Sequence, residues 1–239
     1  TPVWRTWPGC QWCGITSLVV AYADADGLSP NRTIRVRRTY DQPEYSWDVP
    51  VSDSTLDAYD PLAVGDRATY PGTASGALVA WLEGGAGGTA RLRAQHLAAD
   101  GSGLWGDAGG AVVNDASGQA DARMIADGAD GAFFAWADSR HGDDLAIYGM
   151  RLAGDGSPAP GWPAAGRLVR ASAALPQSPF VVSDGAGGLI VLWHELEPLS
   201  DLSLGLQPRM VRLLADGSLA PGWPADGIRL LVRDDAPLY

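Results

Sequence analysis

The sequence predicts an all-β fold assembled from four repeats of about 57 residues. Three observations lead to this prediction. Two ladders of aromatic residues recur at nearly constant spacing, Asp-Gly turns separate short apolar runs, and one long segment is written twice. That segment is GDGSPAPGWPAAGRLV at 154–169 and ADGSLAPGWPADGIRL at 215–230. Internal repetition on this scale predicts an array of similar structural units.

The composition favours short strands joined by turns. The 239 residues include 31 Gly, 17 Pro and 10 Trp, and glycine and proline are the main turn residues. No apolar run approaches the ~18–20 residues of a membrane-spanning helix, so no membrane span is predicted. The formal net charge of −11 argues against a nucleic-acid partner, because phosphate binding needs clustered positive charge.

The aromatic ladders define the repeats. The first ladder is Tyr22, Trp81, Trp136 and Trp193, spaced by 59, 55 and 57 residues. The second ladder is Trp47, Trp105, Trp162 and Trp223, spaced by 58, 57 and 61 residues. We interpret all eight as structural anchors of a single domain, 1–239. Its approximate repeats are 1–60, 61–117, 118–174 and 175–239.

Each repeat predicts four short strands, which the third repeat shows most clearly. The first strand, RMIAD (123–127), leads into an Asp-Gly turn, which is a strong hairpin signal. The second strand, AFFAWAD (132–138), carries the anchor, and LAIYGMRLA (145–153) follows as the third. The Asp-Gly-Ser and Pro-Gly-Trp-Pro connection then leads to the fourth strand, GRLVRA (166–171).

The second strand indicates how the sheets pack. Phe134 and Trp136 point to one side of it, while Phe133 and Ala135 point to the other. A strand that is apolar on both faces needs cover on both sides. Sheets stacked radially against their sequence neighbours supply that cover. The sequence therefore predicts a β-propeller of four four-stranded antiparallel blades, with an open blade array or a β-sandwich as the alternatives.

The third repeat resembles repeats of large secreted bacterial proteins. The residues that carry the resemblance are DGADGAFFAWADSRHGDDLAIYGMRLAGDGSPAPGWPAAGRLV at 127–169. The family pattern runs roughly D-G-x-G-G, four apolar residues, W-x-D-x-R, D-I-Y-x-x-R-L and G-x-x-x-P-G-W-P. The match is strong over the third repeat, good over the fourth and loose over the first two. It implies propeller blades and an extracellular or cell-surface location, and it brings no catalytic residues.

Charged residues recur in register with the anchors. An acid lies two positions after each first-ladder residue, and a base follows 13 to 17 positions later. We predict cross-strand ion pairs between Asp24 and Arg38, Glu83 and His96, Asp138 and Arg151, and Glu195 and Arg212. Paired carboxylates also occur in glycosidases. A catalytic site needs residues that break the repeat symmetry, however, so the structural interpretation is preferred.

Cys10 and Cys13 are the only cysteines. We expect a local disulfide in the N-terminal turn, with a free thiol pair and a catalytic pair as the alternatives. No cofactor and no metal site are predicted, since zinc would need a second pair of ligands. A calcium site is kept as an alternative, because ADADG (23–27), DGADG (127–131) and HGDD (141–144) bring oxygen ligands close together.

The first function hypothesis is an extracellular, non-enzymatic propeller with a structural or binding role at the bacterial surface. Its expected partners are a further copy, joined head to tail in a polymer or filament, or a surface glycan or protein. The alternative is a carbohydrate-binding or glycosidase-like propeller. Its candidate residues are peculiar to single repeats: His141, Asp143, Asp144, His194 and Glu197.

The two ends of the chain fall at equivalent points of the repeat. The chain begins at Thr1 without Met, so we expect a processed form or a piece of a longer repeat protein. Four blades then either close into a small toroid or form an open array whose unpaired ends favour association.

Overall fold

A computed structural model describes residues 18–25, 30–39, 46–52, 55–66, 76–84, 90–106, 111–113, 118–140, 145–198 and 204–230. Within these ranges the chain forms fifteen β-strands. No helix among them is long and apolar enough to cross a membrane. The strands are β1 (Leu18–Asp24), β2 (Thr33–Thr39), β3 (Trp47–Pro50), β4 (Asp57–Gly65), β5 (Ala77–Gly84), β6 (Arg91–Leu97), β7 (Ala111–Val112), β8 (Gln119–Ala126), β9 (Ala132–Asp138), β10 (Ala146–Leu152), β11 (Arg167–Ala171), β12 (Gln177–Ser183), β13 (Leu189–Pro198), β14 (Leu204–Leu213) and β15 (Ile228–Arg229).

The strands form four antiparallel sheets of consecutive strands. Sheet 1 has the order β1-β2-β3, sheet 2 β4-β5-β6-β7, sheet 3 β8-β9-β10-β11 and sheet 4 β12-β13-β14-β15. The predictions of an all-β chain and of four antiparallel sheets are confirmed. Sheet 1 shows three strands within the described residues, and the other sheets show four each.

Asp-Gly turns join the first two strands of sheets 3 and 4. Asp127 N donates to Gly131 O, and Asp127 Oδ1 accepts from the N–H groups of Ala129 and Gly131. Gly128 has a φ of +76°, a conformation that glycine adopts without steric cost. Asp184 holds the equivalent turn of sheet 4 with the same pattern of hydrogen bonds. The repeated Asp-Gly pairs therefore mark these hairpins.

The approximate boundary predicted between the first two repeats, 60/61, falls inside a strand. β4 begins at Asp57 and crosses that boundary. The spacing of the tryptophans determines the length of a repeat but not the point at which its first strand begins. A bulge between Tyr59 and Leu62 interrupts the register of β4, and proline is tolerated at such bulges.

The core lies between neighbouring sheets. The first strand of each later sheet contacts the sheet before it: β4 contacts β1 and β2, β8 contacts β4, β5 and β6, and β12 contacts β8, β9 and β10. The second strands β5 and β9 are buried along their whole length, as their two apolar faces require. Four sheets stacked in chain order exclude the two-sheet sandwich.

The two end sheets each present one exposed apolar face. Leu18 and Val20 on sheet 1 are 63% and 44% exposed, and Phe180 and Leu206 on sheet 4 are 56% and 53% exposed. Among the strands that the structure describes, the main contacts between different sheets all join sequence neighbours. The array therefore has two apolar ends.

Candidate functional site

The two ends of each sheet differ in chemistry. At the end called here the loop end, the second strand finishes and the first and third strands begin. The Asp-Gly and Asp-Gly-Ser turns lie at the opposite end, called the turn end. The four predicted acids lie at or near the loop-end limit of β1, β5, β9 and β13, whereas the four predicted bases lie near the turn end.

The predicted ion pairs are therefore wrong in their partners. In sheet 3, Asp138 lies opposite Ala146, and Arg151 lies opposite Phe133 at the other end of the hairpin. Antiparallel pairing puts the first residues of the third strand beside the last residues of the second. The same separation holds for Asp24 and Arg38, for Glu83 and His96, and for Glu195 and Arg212.

At the loop end of sheet 3, the buried acid binds its own anchor. Trp136 Nε1 donates to Asp138 Oδ2 at 2.9 Å, because residues two apart on a strand share a face. Arg140 Nε donates to Asp138 Oδ1 at 2.9 Å, and its guanidinium lies 3.9 Å from the ring centre of Tyr148. The pattern W-x-D thus encodes a buried, neutralised carboxylate.

In sheet 4 the equivalent acid also joins two sheets. Trp193 Nε1 donates to Glu195 Oε1 at 3.0 Å. Arg170, on β11 of sheet 3, donates Nη2 to Glu195 Oε2 at 3.2 Å, and Arg209 Nε lies 3.2 Å from the same oxygen. The carboxylate therefore binds cations from both of the sheets that meet beside it.

The acids of sheets 1 and 2 also have arginine partners. Arg93 Nε lies 3.0 Å from Glu83 Oε2. In sheet 1, Arg35 Nε lies 3.0 Å from Asp48 Oδ1 and 3.9 Å from Asp24 Oδ2. All four predicted acids thus lie within ion-pair distance of an arginine, although not of the predicted base.

The pKa values of two of these acids, Asp138 and Glu195, argue against a role as a general acid. Burial alone would raise the pKa of Asp138, but hydrogen bonds from Arg140 and Trp136 outweigh burial and hold the pKa below its ordinary 3.8. Glu195 shows the same balance: burial acts upward, Arg170 acts downward, and the pKa lies below 4.5. A glycosidase general acid needs a raised pKa to carry a proton near neutral pH. Neither carboxyl group therefore fits the general-acid role.

At the turn end, each described third-strand base of sheets 2 to 4 binds the aspartate of a hairpin turn. The pairs are Arg151–Asp127 at 2.8 Å, Arg212–Asp184 at 2.8 Å and His96–Asp66 at 3.0 Å. Sequence reasoning missed these aspartates as partners. A usable signal was present in sheets 3 and 4, where the Asp of D-G-x-x-G lies nine residues before the anchor.

The second tryptophan of each of the first three sheets reaches into the next sheet. The indole Nε1 donates to the carbonyl O that precedes an Asp-Gly-Ser turn: Trp47 to Ala99 at 2.8 Å, Trp105 to Gly154 at 2.8 Å and Trp162 to Ala215 at 2.9 Å. A Cβ at Gly101, Gly156 or Gly217 would lie within 3.0 Å of the ring it faces. Each Asp-Gly-Ser turn thus binds the second tryptophan of the sheet before it.

The remaining residues of that turn hold its shape. Asp155 Oδ1 accepts from Ser157 N at 2.9 Å and from Ser157 Oγ at 2.6 Å. The same two bonds recur at Asp100 and Asp216. The repeated Asp-Gly-Ser triplet therefore has a structural explanation at every position.

Burial of the anchors follows their position in the array. Trp81, Trp136 and Trp193 are at most 1% exposed, and Trp105 and Trp162 are 2% and 5% exposed. The anchors on the uncovered sides of the end sheets, Tyr22 and Trp223, are only partly buried. Trp47 is an exception, because it is partly buried although it reaches into sheet 2.

The first strands carry an unpredicted polar feature near the loop end. Asp60, Asp121 and Ser178 have φ angles of 50°, 51° and 50°, and each lies in a bulge of β4, β8 or β12. All three side chains are exposed. A left-handed backbone at a non-glycine residue is costly, and bulges redirect side chains. The loop end thus presents exposed polar groups at equivalent positions of three sheets.

The candidates of the carbohydrate hypothesis are only partly described. His194 is exposed, and Glu197 Oε1 accepts from Arg209 Nη2 at 2.7 Å. His141, Asp143 and Asp144 lie outside the described residues, as do Cys10 and Cys13 with their expected disulfide.

No group of three or more His, Cys, Asp or Glu within the described ranges is arranged to hold a metal ion. In the DGADG segment proposed for calcium, the carboxylate of Asp127 is bound by turn N–H groups and by Arg151.

No protein-family model matches the chain, and no curated protein sequence matches it. Solved structures do match. The α-L-arabinofuranosidase of Fusarium graminearum in complex with an iminosugar inhibitor aligns with a TM-score of 0.54 and 12% identity, over 89% of this chain and 65% of the enzyme. The GH93 α-L-arabinofuranosidase of Fusarium graminearum with arabinobiose aligns with a TM-score of 0.51 and 11% identity, over 82% and 58%.

A mutant of the Fusarium graminearum enzyme, in complex with an iminosugar inhibitor, aligns with a TM-score of 0.52, 12% identity and shares of 89% and 65%. The chain therefore spans 58–65% of the length of these enzymes. At this identity the likeness concerns the fold, a propeller-like stack of antiparallel sheets.

Proposed function

We propose that this chain forms blades of a carbohydrate-binding propeller, with its sugar site at the loop end. The observation that carries the proposal is the likeness in fold to arabinofuranosidases over 89% of the chain. One of those structures holds arabinobiose and others hold an iminosugar inhibitor.

The loop end is favoured over the turn end because of what each end leaves available. At the turn end, Asp127, Asp155 and Asp184 are bound by hairpin N–H groups, a serine or arginines, although Asp130 is exposed. At the loop end, Asp60, Asp121 and Ser178 expose their side chains from bulged strands. Exposed carboxylates and hydroxyls are groups that sugar hydroxyls hydrogen-bond.

Residues that differ between repeats are the candidates for recognising one particular sugar. His194 and Glu197 belong to β13 of sheet 4. His141, Asp143 and Asp144 lie between β9 and β10 in the sequence. Glu197 has an acidic counterpart in Asp26 of the first repeat, since each lies four positions after its anchor. The other four have no equivalent in the other repeats, so they break the repeat symmetry.

The proposed function is sugar binding. Hydrolysis of the bound sugar would be a further activity of the same site. Every described carboxyl group with a shifted pKa has that pKa lowered, chiefly by hydrogen bonds from Arg, Ser, Trp, Tyr or backbone N–H groups. A glycosidase needs one protonated and one ionised carboxyl group. Under the hydrolytic form, Asp143 and Asp144 are the candidate acids.

A panel of polysaccharides and oligosaccharides that includes arabinan and arabinobiose tests the proposal. Binding is measured by calorimetry, and hydrolysis by release of reducing sugar. The double variant Asp143→Ala, Asp144→Ala and the variant Asp121→Asn should each weaken binding by about tenfold or more, the loss expected for one charged hydrogen-bonding group.

Asp130→Asn is the matched control for Asp121→Asn. Asp130 is also exposed and also has a positive φ, 64°, but it lies in the Asp-Gly turn at the opposite end of sheet 3. Its substitution should leave binding unchanged. Neither binding nor release of sugar across the whole panel would contradict the proposal.

A second candidate function is a structural role at the bacterial surface, including head-to-tail association. The exposed apolar faces of sheets 1 and 4 favour it, since large uncovered apolar patches mark association sites. Molecular mass measured over a concentration series tests association, and a monodisperse monomer at every concentration would exclude the polymer. Both candidates place the protein outside the cell, and detection on intact cells or in culture medium tests that location.

A further inference from the structure

The same contacts recur at each junction between neighbouring sheets. In the junction between sheets 3 and 4, Trp162 Nε1 donates to Ala215 O, and its ring covers Gly217. Arg151 Nη1 adds a second donor to the same carbonyl at 3.3 Å. The later sheet thus supplies an apolar face, a free carbonyl and a glycine.

Sheet 4 presents its own tryptophan in the same way. Trp162 N donates to Ala159 O at 3.0 Å, and Trp223 N donates to Ala220 O at 3.1 Å, so the two connections share one backbone conformation. Trp162 is 5% exposed because sheet 4 covers it. Trp223 is only partly buried, and its indole N–H makes no hydrogen bond to any residue in the described part of the chain.

The strands beside Trp223 are equally uncovered. On the same side of sheet 4, Phe180, Leu204 and Leu206 are 56%, 60% and 53% exposed. On the corresponding face of sheet 3, Phe133 and Ala135 are 1% and 0% exposed, whereas their equivalents in sheet 4, Ile190 and Leu192, are only partly buried. Stacking of one more sheet accounts for that difference.

Arg212 is the equivalent of Arg151 in sheet 4, and it is also the more exposed of the two. It binds Asp184 as Arg151 binds Asp127, but its side chain is 34% exposed against 20% for Arg151. Sheet 4 thus presents an apolar face, an indole N–H and a guanidinium in the arrangement that sheet 3 uses to bind sheet 4.

We propose that this side of sheet 4 is the docking surface for a further sheet of the same repeat, joined in tandem. That sheet carries an Asp-Gly-Ser turn whose glycine receives the ring of Trp223, and the carbonyl before the turn accepts from the indole N–H. Among the described strands, the main junctions between sheets join sequence neighbours, so the surface continues an established interface.

Sheet 1 lacks the Asp-Gly-Ser turn that Trp223 would need. It therefore cannot fill this place, either from the same chain or from a second copy. Between β2 and β3 its sequence reads YDQPEY at 40–45, which contains no glycine. The glycines of the three Asp-Gly-Ser turns are already covered by Trp47, Trp105 and Trp162. A second copy therefore offers no free receptor for Trp223.

The test extends the full chain after residue 239 with a copy of residues 175–239. Hydrogen–deuterium exchange follows β12 (Gln177–Ser183), and a thermal scan gives the melting temperature. Docking should slow exchange at β12 by about tenfold or more, because local opening would then expose buried apolar surface. It should raise the melting temperature by about 5–10 °C, the shift expected when several large apolar side chains become buried in a chain of this size.

Two variants assign the effect to the tryptophan. Trp223→Ala should remove most of both gains in the extended chain and change the unextended chain little. A valine in place of the appended copy of Gly217 should have the same effect, because a Cβ there meets the ring.

Three outcomes would overturn the proposal. The first is an extension that brings no protection to β12, including one whose appended strands themselves stay unprotected. The second is a gain that survives Trp223→Ala. The third is Trp223-dependent dimerisation of the unextended chain, which would assign this surface to a second copy.

Discussion

The indole Nε1 of Trp162 donates a hydrogen bond of 2.9 Å to the carbonyl O of Ala215 in the next sheet. The ring also occupies the space that a Cβ at Gly217 would need. Trp47 and Trp105 make the same contacts with the sheets that follow them. The repeated Asp-Gly-Ser and tryptophan residues therefore form an interlock between neighbouring sheets.

Gly156→Ala should destabilise the protein by about 2–4 kcal/mol. The substitution combines a left-handed backbone with overpacking against an indole, each of which costs on the order of 1–3 kcal/mol. Gly156 has a φ of +81°, and a Cβ there would lie 2.8 Å from Trp105 Cγ. Urea unfolding measures the loss.

Gly222→Ala is the control for this substitution. Gly222 has the same φ of +81°, but no heavy atom lies within 4 Å of the position of its Cβ. Its loss should be limited to the backbone cost, about 1 kcal/mol. Equal losses of unfolding free energy in the two variants would show that packing of the tryptophan against the turn adds no cost.

Trp162→Ala should cost about 3–5 kcal/mol, the range for removal of a large buried aromatic side chain. Trp223→Ala should cost less than about 1 kcal/mol, because partly exposed side chains contribute little when truncated. Both values come from urea unfolding of the two variants. Similar losses of unfolding free energy in the two variants would show that burial of Trp162 by sheet 4 does not account for its contribution to stability.

Asp138→Asn should destabilise the protein by about 3 kcal/mol, because it leaves Arg140 without the charge that neutralises it. Asp138 is fully buried, and Arg140 makes two hydrogen bonds to it from its side chain. Asp24→Asn is the control, since the side chain of Asp24 is 47% exposed and lies 3.9 Å from Arg35. An exposed pair of this kind contributes about 0–1 kcal/mol.

Stability should fall when the pH drops below about 4.5. The pKa values of Asp138 and Glu195 are lowered in the folded protein, so their stabilising contributions are present above the ordinary values and are lost as the pH falls through the lowered ones. Asp138→Asn should flatten the decline between about pH 4 and pH 3 in urea unfolding. An unchanged slope in the variant would contradict the assigned role.

The strands were predictable from the sequence because their signals are local. Asp-Gly turns, apolar runs and the recurrence of Trp81, Trp136 and Trp193 each act over a few residues or repeat at fixed spacing. The partners of the charged residues were not predictable in that way. Spacing alone does not give the register, which places Arg151 opposite Phe133 instead of beside Asp138.

Contacts between sheets are still less visible in the sequence. Arg170 and Glu195 meet because sheets 3 and 4 stack, and no local pattern connects residues 25 positions apart on different sheets. The bulges at Asp60 and Asp121 were missed because no glycine marks their left-handed backbone. The loop end, where the structure leaves polar groups exposed, was therefore the least predictable part of the chain.

A double-mutant cycle between Trp105→Ala and Gly156→Ala tests the interlock most directly. If the ring presses on the turn, Gly156→Ala should cost at least about 1 kcal/mol less in the Trp105→Ala background than in the wild type. Free energies of unfolding from urea titration of the four proteins give this coupling. Losses that add to within about 0.5 kcal/mol would show that the two residues do not interact, and would contradict the interlock between sheets.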